Sequence, residues 1–207
     1  MLLRVAGWAE NDPHDVRQSE QQVFVSVYND AGVPPLLLHR AEDNAARIFR
    51  RAELDVIWMT CSKGSSGESR CPGAIRSSQI YFHIVSESLT LSDNAFGVAF
   101  LDSDGVGHYA DLFFDPIQKL ATSFAPAEAE IMGSVMAHEI GHLLLGSKAH
   151  SRAGIMEAHW SAEELKYIAE GNFAFTRPQC EKMLSRVAAQ AHLKSESFPL
   201  ASAKMGQ

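Results

Sequence analysis

Two histidines and a glutamate in the segment His138-Glu139-Ile140-Gly141-His142 have the types and spacing of a metal site on a helix. On an α-helix of about 3.6 residues per turn, positions four apart lie about 40° apart around the axis and roughly 6 Å along it, so both imidazoles can reach one ion. Glu139 is turned about 100° away from them, beside the metal and near a bound water. A zinc ion with three protein ligands lowers the pKa of such a water to ~7. The spacing therefore predicts metal-assisted hydrolysis, most often of a peptide bond, with Glu139 as the general base.

A third ligand is expected after this pair. Gly146 follows an apolar run and suits a helix end that needs a positive φ, which gives His150 a chain path back to the metal. Imidazole is a common zinc ligand, so His150 is the first candidate. The alternatives are His159 and the acidic residues Glu157, Glu163 and Glu164.

The segment from Ala137 to Met156 resembles the metzincin zinc peptidases, in which an extended zinc motif is followed by a tight turn that carries a methionine beneath the metal. Met156 is similar in position to that methionine. The family pattern is H-E-x-x-H-x-x-G-x-x-H, whereas here Gly146 lies four residues after His142 and His150 eight after it. The segment is thus one residue longer on each side of the glycine.

The resemblance implies a zinc endopeptidase with an α+β, zincin-like fold. The expected fold is a mixed five-stranded sheet with one antiparallel edge strand, a backing helix, an active-site helix and a small C-terminal helical subdomain. The resemblance also implies one Zn²⁺ on His138, His142 and His150. Glu139 would serve as base and then as proton donor to the leaving amine, and the substrate would be a peptide or protein.

The chain after the methionine is expected to shape the substrate pocket. In the resembled family this part forms the wall of the pocket that receives the side chain following the cut bond, and here it is Glu157-Ala158-His159-Trp160. Metzincins of the astacin type place a metal-reaching tyrosine two residues after the methionine, where this chain has Ala158, so no fifth ligand is expected there. His159 is a candidate oxyanion or substrate contact. Trp160 is expected to pack in the core or the pocket wall.

Composition limits the partners. The chain has 207 residues, 46% of them hydrophobic, which suits one domain or one domain with a helical appendage. A net charge of −7 argues against nucleic acid or an anionic membrane surface, because both require clustered Lys and Arg. No apolar run approaches the ~20 residues of a membrane span. We expect the protein to be a monomer.

The cysteines predict a disulfide. Cys61 and Cys71 enclose a polar loop with no apolar anchor, and a bridge between them would stabilise the fold by roughly 2–3 kcal/mol. The alternative is two unpaired thiols in a reducing cytoplasm, so the bridge would favour an extracytoplasmic or secreted location. Cys180 is left over and is expected to behave as a small buried hydrophobe.

Periodicity divides the chain into four parts: an N-terminal arm at 1–21, a sheet-and-helix subdomain at 22–146 that carries the active-site helix, a C-terminal subdomain at 147–193 and a tail at 194–207. The predicted strands are 23–28, 55–60, 79–85, 95–101 and 109–114. The predicted helices are 36–52, 126–145, 161–169 and 178–191. The first strand, helix and strand form a βαβ unit with parallel strands.

The last two strands are predicted to be a hairpin, so one of them is antiparallel to the rest. Asp102 and Asp104 in its connector resemble a calcium loop, but Phe113 stands where the twelfth-position glutamate would be, which excludes an EF-hand. By the resemblance, Gly97, Val98 and Ala99 belong to an edge strand to which substrate adds as a further strand. His83, in the third predicted strand, is expected to be a structural residue.

Two other functions are compatible with the sequence. One is a catalytically idle metal-binding or peptide-binding module with the same fold, against which the intact Glu139 argues. The other is a hydrolase of non-peptide substrates, since zinc chemistry alone does not select peptides.

Overall fold

The computed structural model describes residues 21–63, 69–71, 79–87, 95–123 and 128–197. The predicted arm, apart from residue 21, lies outside these residues, as does the predicted tail from residue 198 onward. None of the helices in the described part of the chain is both long and apolar enough to cross a bilayer.

In the part of the chain that the structure describes, six strands form one sheet, in the spatial order β3-β2-β1-β4-β6-β5. They are β1 (Gln22–Asn29), β2 (Asp55–Lys63), β3 (Ser69–Arg70), β4 (Gln79–Val85), β5 (Gly97–Phe100) and β6 (Tyr109–Phe113). Strands β1, β2, β4 and β6 are parallel, while β5 pairs antiparallel with β6 at one edge. The expected mixed five-stranded sheet is confirmed, and the two-residue β3 extends its other edge antiparallel to β2.

Among the described residues, five helices accompany the sheet: α1 (Pro35–Arg51), α2 (Phe114–Ser123), α3 (Glu128–Leu145), α4 (Ala162–Ala169) and α5 (Arg177–Ser197). The sequence does not predict helix α2, because its pattern places Phe114 in the preceding strand. Asp115 in its first turn favours a helix start at this point. The last helix also continues to Ser197, beyond its predicted end at residue 191.

Helix α3 is buried on every side along most of its length. Such a helix is apolar all around because it packs between other elements instead of against one of them. Its contact with α1 is close at Gly133, where a Cβ would lie 2.5 Å from the carbonyl oxygen of Ala41. The side-chain amide of Asn44 donates to the carbonyl of Glu130 at 2.8 Å. This packing fixes α3 against α1, and the metal motif lies on the C-terminal half of α3.

Helix α4 begins with the predicted capping box. The Ser161 hydroxyl accepts from the backbone N–H of Glu163, and the Glu164 carboxylate accepts from the backbone N–H of Ser161. The helix is followed by Gly171 with φ +68°, a conformation that favours glycine.

The sulfurs of Cys61 and Cys71 are joined in a disulfide, and Cys180 is a free, half-buried thiol. We therefore expect mass spectrometry without reductant to find a linked Cys61–Cys71 peptide and an alkylated Cys180. A Cys180→Ser variant should keep the same linked peptide, and reduction of the parent should cost about 2–3 kcal/mol of unfolding free energy. Alkylation of all three thiols in native, never-reduced protein would count against the bridge and against an exported location.

Candidate metal centre

The side chains of His138, Glu139 and His142 are only 8%, 6% and 6% exposed. His138 and His142 come together with His150, which follows α3, so that one ligand atom from each lies within 4.8 Å of the others. Within the described parts of the chain, no other group of three or more His, Cys, Asp or Glu residues meets this condition. The structure therefore brings together the helix pair and the first candidate for the third ligand.

Hydrogen bonds define which ring nitrogens are available. Nδ1 of His138 lies 2.6 Å from the carbonyl oxygen of Ile155, and Nδ1 of His142 lies 2.7 Å from that of Ser147. A carbonyl oxygen only accepts, so both Nδ1 atoms carry the proton of a neutral ring. Both Nε2 atoms are then bare lone pairs, and they face each other at 3.1 Å.

Two facing lone pairs repel each other unless a cation lies between them. Burial lowers the pKa of His138 to about 4 and also lowers the pKa values of His142 and His150. At neutral pH a proton therefore does not bridge the two Nε2 atoms. Ligand nitrogens at about 2.0–2.1 Å from a tetrahedral zinc lie about 3.3 Å apart, close to the observed separation. The donor set fits zinc.

The end of α3 orients His142. Gly146, with φ +61°, reverses the chain, and the backbone N–H of Ser147 donates to the carbonyl of His142 at 3.2 Å. With the bond from the Gly146 N–H to the Leu143 carbonyl, this is a Schellman ending. It turns the Ser147 carbonyl toward the His142 ring and directs the chain to His150, whose ring centre lies 5.0 Å from that of His142.

The other candidates for the third ligand are placed elsewhere. The Glu164 carboxylate is used in the capping box, and Glu163 accepts from the Tyr167 hydroxyl at 3.1 Å. Neither His159 nor Glu157 belongs to the group that can share one ion. His159 is exposed; burial is the main cause of the lowered pKa of His150, and the nearby His159 adds to it.

A tight turn at residues 151–157 contacts the helix that carries the histidine pair. The backbone N–H of Ser151 donates to the carbonyl of Met156, and Gly154 has φ +75°. Met156 is 1% exposed, and its sulfur lies so close to Gly141 that a Cβ there would be 2.8 Å from it. The same turn supplies the Ile155 carbonyl that holds His138. It therefore positions one ligand and packs against the helix at Gly141, between the two histidines.

Glu139 lies against the edge strand. A Cβ on Gly97 would be 2.7 Å from Glu139 Cγ and 2.8 Å from its Oε1, so only glycine fits at this position of β5. Burial raises the pKa of Glu139 to about 8, and the charge of Asp111 adds to the rise. The site therefore holds a carboxyl whose proton affinity is raised, next to the histidine pair.

This raised pKa predicts how the stability of the metal-free protein depends on pH. The folded pKa lies above the unfolded one, so the contribution of Glu139 is fully present below about pH 4.5 and is lost as the pH rises through about 8. We expect Glu139→Gln to gain stability relative to the parent by a few kcal/mol as the pH rises from about 4.5 to about 8, since one pKa unit is ~1.4 kcal/mol. Denaturant unfolding with a chelator present measures this, and parallel pH profiles would contradict it.

Strand β5 has a free edge among the described residues. The Phe113 N–H donates to the Phe96 carbonyl, and antiparallel pairing alternates, so Val98 also directs its N–H and C=O toward β6. The backbone groups of Gly97 and Ala99 consequently point outward.

Trp160 and the residues around it form a wall beside His138. The Trp160 ring centre lies 6.0 Å from that of His138, 6.4 Å from Phe96 and 5.4 Å from Phe173. Ala158, two residues before Trp160, is exposed. His83 lies apart from the metal group, stacked on Tyr28 with ring centres 4.6 Å apart.

Sequence reasoning missed several partners of these residues. The carbonyls of Ile155 and Ser147 are backbone atoms and have no sequence signal. The sequence places Asp111 in a predicted strand but gives no sign that its charge affects Glu139. Phe175 packs against Gly141 from the segment before α5, and only the fold brings it there.

Comparison with known proteins shows a likeness of fold alone. No protein-family model matches the sequence, and no curated protein matches it. A zinc-dependent peptidase from Methanocorpusculum labreanum matches in structure with a TM-score of 0.51 and 14% identity, over 77% of this chain and 99% of that one. A protein from Thermotoga maritima solved in solution matches at a TM-score of 0.35 and 12% identity, over 87% of this chain and 99% of that one, which is too low to carry an argument. The chain thus has an α+β fold similar to that of a zinc-dependent peptidase.

Proposed function

We propose that this protein is a zinc-dependent endopeptidase in which His138, His142 and His150 hold the metal and Glu139 is the general base. The observation that carries the proposal is the pair of bare Nε2 atoms 3.1 Å apart, with a buried carboxyl on the next residue. A purely structural site has no use for that carboxyl.

The chain's own groups account for the proton transfers. Bound zinc would supply a Lewis acid and lower the pKa of an attacking water to ~7. A nearby cation also favours the ionised form of Glu139, so its carboxylate can take the proton of the water and pass it to the leaving amine. The carbonyls of Ile155 and Ser147 keep the two imidazoles oriented throughout.

The edge strand favours a peptide over another substrate. An extended peptide can pair with the outward backbone groups of Gly97 and Ala99 by strand addition. Because Glu139 touches Gly97, a peptide bound along this edge passes the base and the metal ligands. This is the physical reason to choose peptides over the non-peptide substrates that zinc chemistry also allows.

We further assign the site to the metzincin type. The turn at residues 151–157 supports this assignment, since it carries Met156 beneath the ligand pair as that family's methionine turn does. The longer segments before and after Gly146 distinguish this chain from the family pattern. The disulfide supports an extracytoplasmic location.

One experiment separates the competing functions. Purified protein should contain about one zinc per chain by elemental analysis, and it should cut a mixed peptide library in a reaction that a chelator stops and added zinc restores. Stoichiometric zinc without cleavage would favour the idle binding module. Protein without zinc at micromolar concentrations of the free ion would refute the proposal.

The residues after Met156 should determine specificity without holding the metal. We expect Ala158→Tyr and Trp160→Ala to change which residue is preferred after the cut bond, because Trp160 packs beside His138 and Ala158 is exposed two residues before it. His159→Ala should lower the cleavage rate. Peptide-library profiling and zinc analysis of the three variants measure both properties, and zinc loss in any of them would contradict this separation.

A further inference from the structure

Arg186 on α5 lies where three parts of the molecule meet. Its guanidinium is packed against Gly146, since a Cβ there would be 2.5 Å from Arg186 Cζ and 2.8 Å from Nη1. Its Nη2 donates to the carbonyl of Gly105, in the loop between β5 and β6, at 3.0 Å. A Cβ on Gly105 would in turn lie 2.5 Å from the Gly146 carbonyl oxygen.

The neighbours of Arg186 on α5 are anchored. Met183 and Val187, which flank it on the helix, are 0% and 8% exposed and belong to the apolar core. The burial of these two neighbours fixes α5 in place, so the Arg186 guanidinium stays in contact with Gly146 at the end of α3. Its positive charge is also favourable beside the C-terminal carbonyls of α3.

The backbone that Arg186 contacts is the one that orients a ligand. Gly146 and Ser147 form the reversal at the end of α3, and the Ser147 carbonyl is the acceptor for His142 Nδ1 at 2.7 Å. Any displacement of this reversal moves the acceptor away from the imidazole. The His138 acceptor, the carbonyl of Ile155, lies in the separate turn at residues 151–157.

We propose that Arg186 is a positioning residue for the metal ligand His142, acting through the backbone of Gly146 and Ser147. The inference rests on the metal site of the proposed function but not on peptide cleavage. Outer partners of metal ligands typically change metal affinity by about 10–100-fold when they are altered. Arg186 is one step further from the metal than the Ser147 carbonyl, so Arg186→Met should weaken zinc binding by about tenfold, the low end of that range.

The structure offers a matched control on the same helix. Arg177 makes an ion pair with Glu181 at 2.9 Å, and its side chain is 90% exposed. Arg177→Met removes the same charge from α5 without touching Gly146, so it should leave zinc affinity unchanged. Competition with a chromophoric chelator measures the affinity of the parent and both variants.

Histidine NMR separates positioning from a general loss of stability. In zinc-loaded protein with ¹⁵N-labelled histidine, the Nδ1–H protons of His138 and His142 should both exchange slowly with water, because each is hydrogen-bonded. In Arg186→Met, exchange at His142 should become about tenfold faster or more, while His138 stays as in the parent. Equal changes at both rings would indicate a merely structural role and overturn the proposal, as would parent-like affinity and exchange.

If Arg186→Met does not fold, Arg186→Gln carries the same comparison with a smaller change in polarity. If the parent binds zinc but cuts no peptide, the proposed function fails and the Arg186 inference is still decided by these measurements. If the parent binds no zinc, the exchange comparison is made on metal-free protein, where the same two hydrogen bonds are present.

Discussion

Replacing Glu139 by glutamine should reduce peptide cleavage by at least ~10²–10⁴-fold, the range that general acid–base catalysis typically contributes, while zinc stays bound. Glutamine keeps the shape of the side chain in its narrow place against Gly97 but cannot take a proton. The ligands His138 and His142 keep their carbonyl partners in this variant. The loss should therefore appear in kcat and leave the zinc content near one per chain.

A matched control lies on the same helix. Glu128, at the first position of α3, is far along the helix from the histidine pair, so Glu128→Gln should leave turnover within about twofold of the parent, as expected for a substitution away from the site. Comparing kcat and zinc content in the two variants separates loss of the base from loss of the fold. Undiminished turnover in Glu139→Gln would remove Glu139 from the mechanism.

The helix pair could be predicted because its geometry is local. The spacing of His138 and His142 determines their relation on any α-helix, and Glu139 follows from the same rotation. The structure adds what the spacing does not contain: the acceptors for the two Nδ1 atoms, supplied by the backbone of two different loops. Because each acceptor keeps the ring proton on Nδ1, the Nε2 atoms of both histidines are left with free lone pairs that can bind a metal.

The third ligand could only be ranked from the sequence, because its position depends on how a loop packs. The chain from Gly146 to His150 is longer than in the resembled family, and spacing alone could not tell whether it returns to the helix. In the structure, the reversal at Gly146 and the contact with Arg186 direct it back. His150 meets the pair for this tertiary reason.

The sheet shows the same division between local and tertiary information. Alternation and turn residues predict five of the six described strands, all but the two-residue β3, and the antiparallel pairing of the last two. The sequence does not predict helix α2, because the boundary between strand and helix falls between two apolar, buried residues, Phe113 and Phe114. An apolar run that continues across the boundary gives no sign of it. The fit of Gly97 against Glu139 joins residues far apart in sequence, and no local pattern contains it.

Removing the ligands one at a time should empty the metal site. Structural zinc sites bind with about 10–16 kcal/mol, or about 3–4 kcal/mol for each of four ligands, so losing one should weaken zinc binding by about 10²–10³-fold. We expect His138→Ala, His142→Ala and His150→Ala all to lose zinc on dialysis against a weak chelator. Elemental analysis of the dialysed proteins gives the zinc content directly.

His83→Ala is the matched control, because His83 is stacked on Tyr28 outside the metal group and should keep its zinc content near that of the parent. His159→Ala tests the assignment of the third ligand itself. The exposed His159 lies outside the group of three, so its loss should leave zinc bound. If His159→Ala instead empties the site and His150→Ala does not, the chain after His142 returns by another path, and the third ligand is His159.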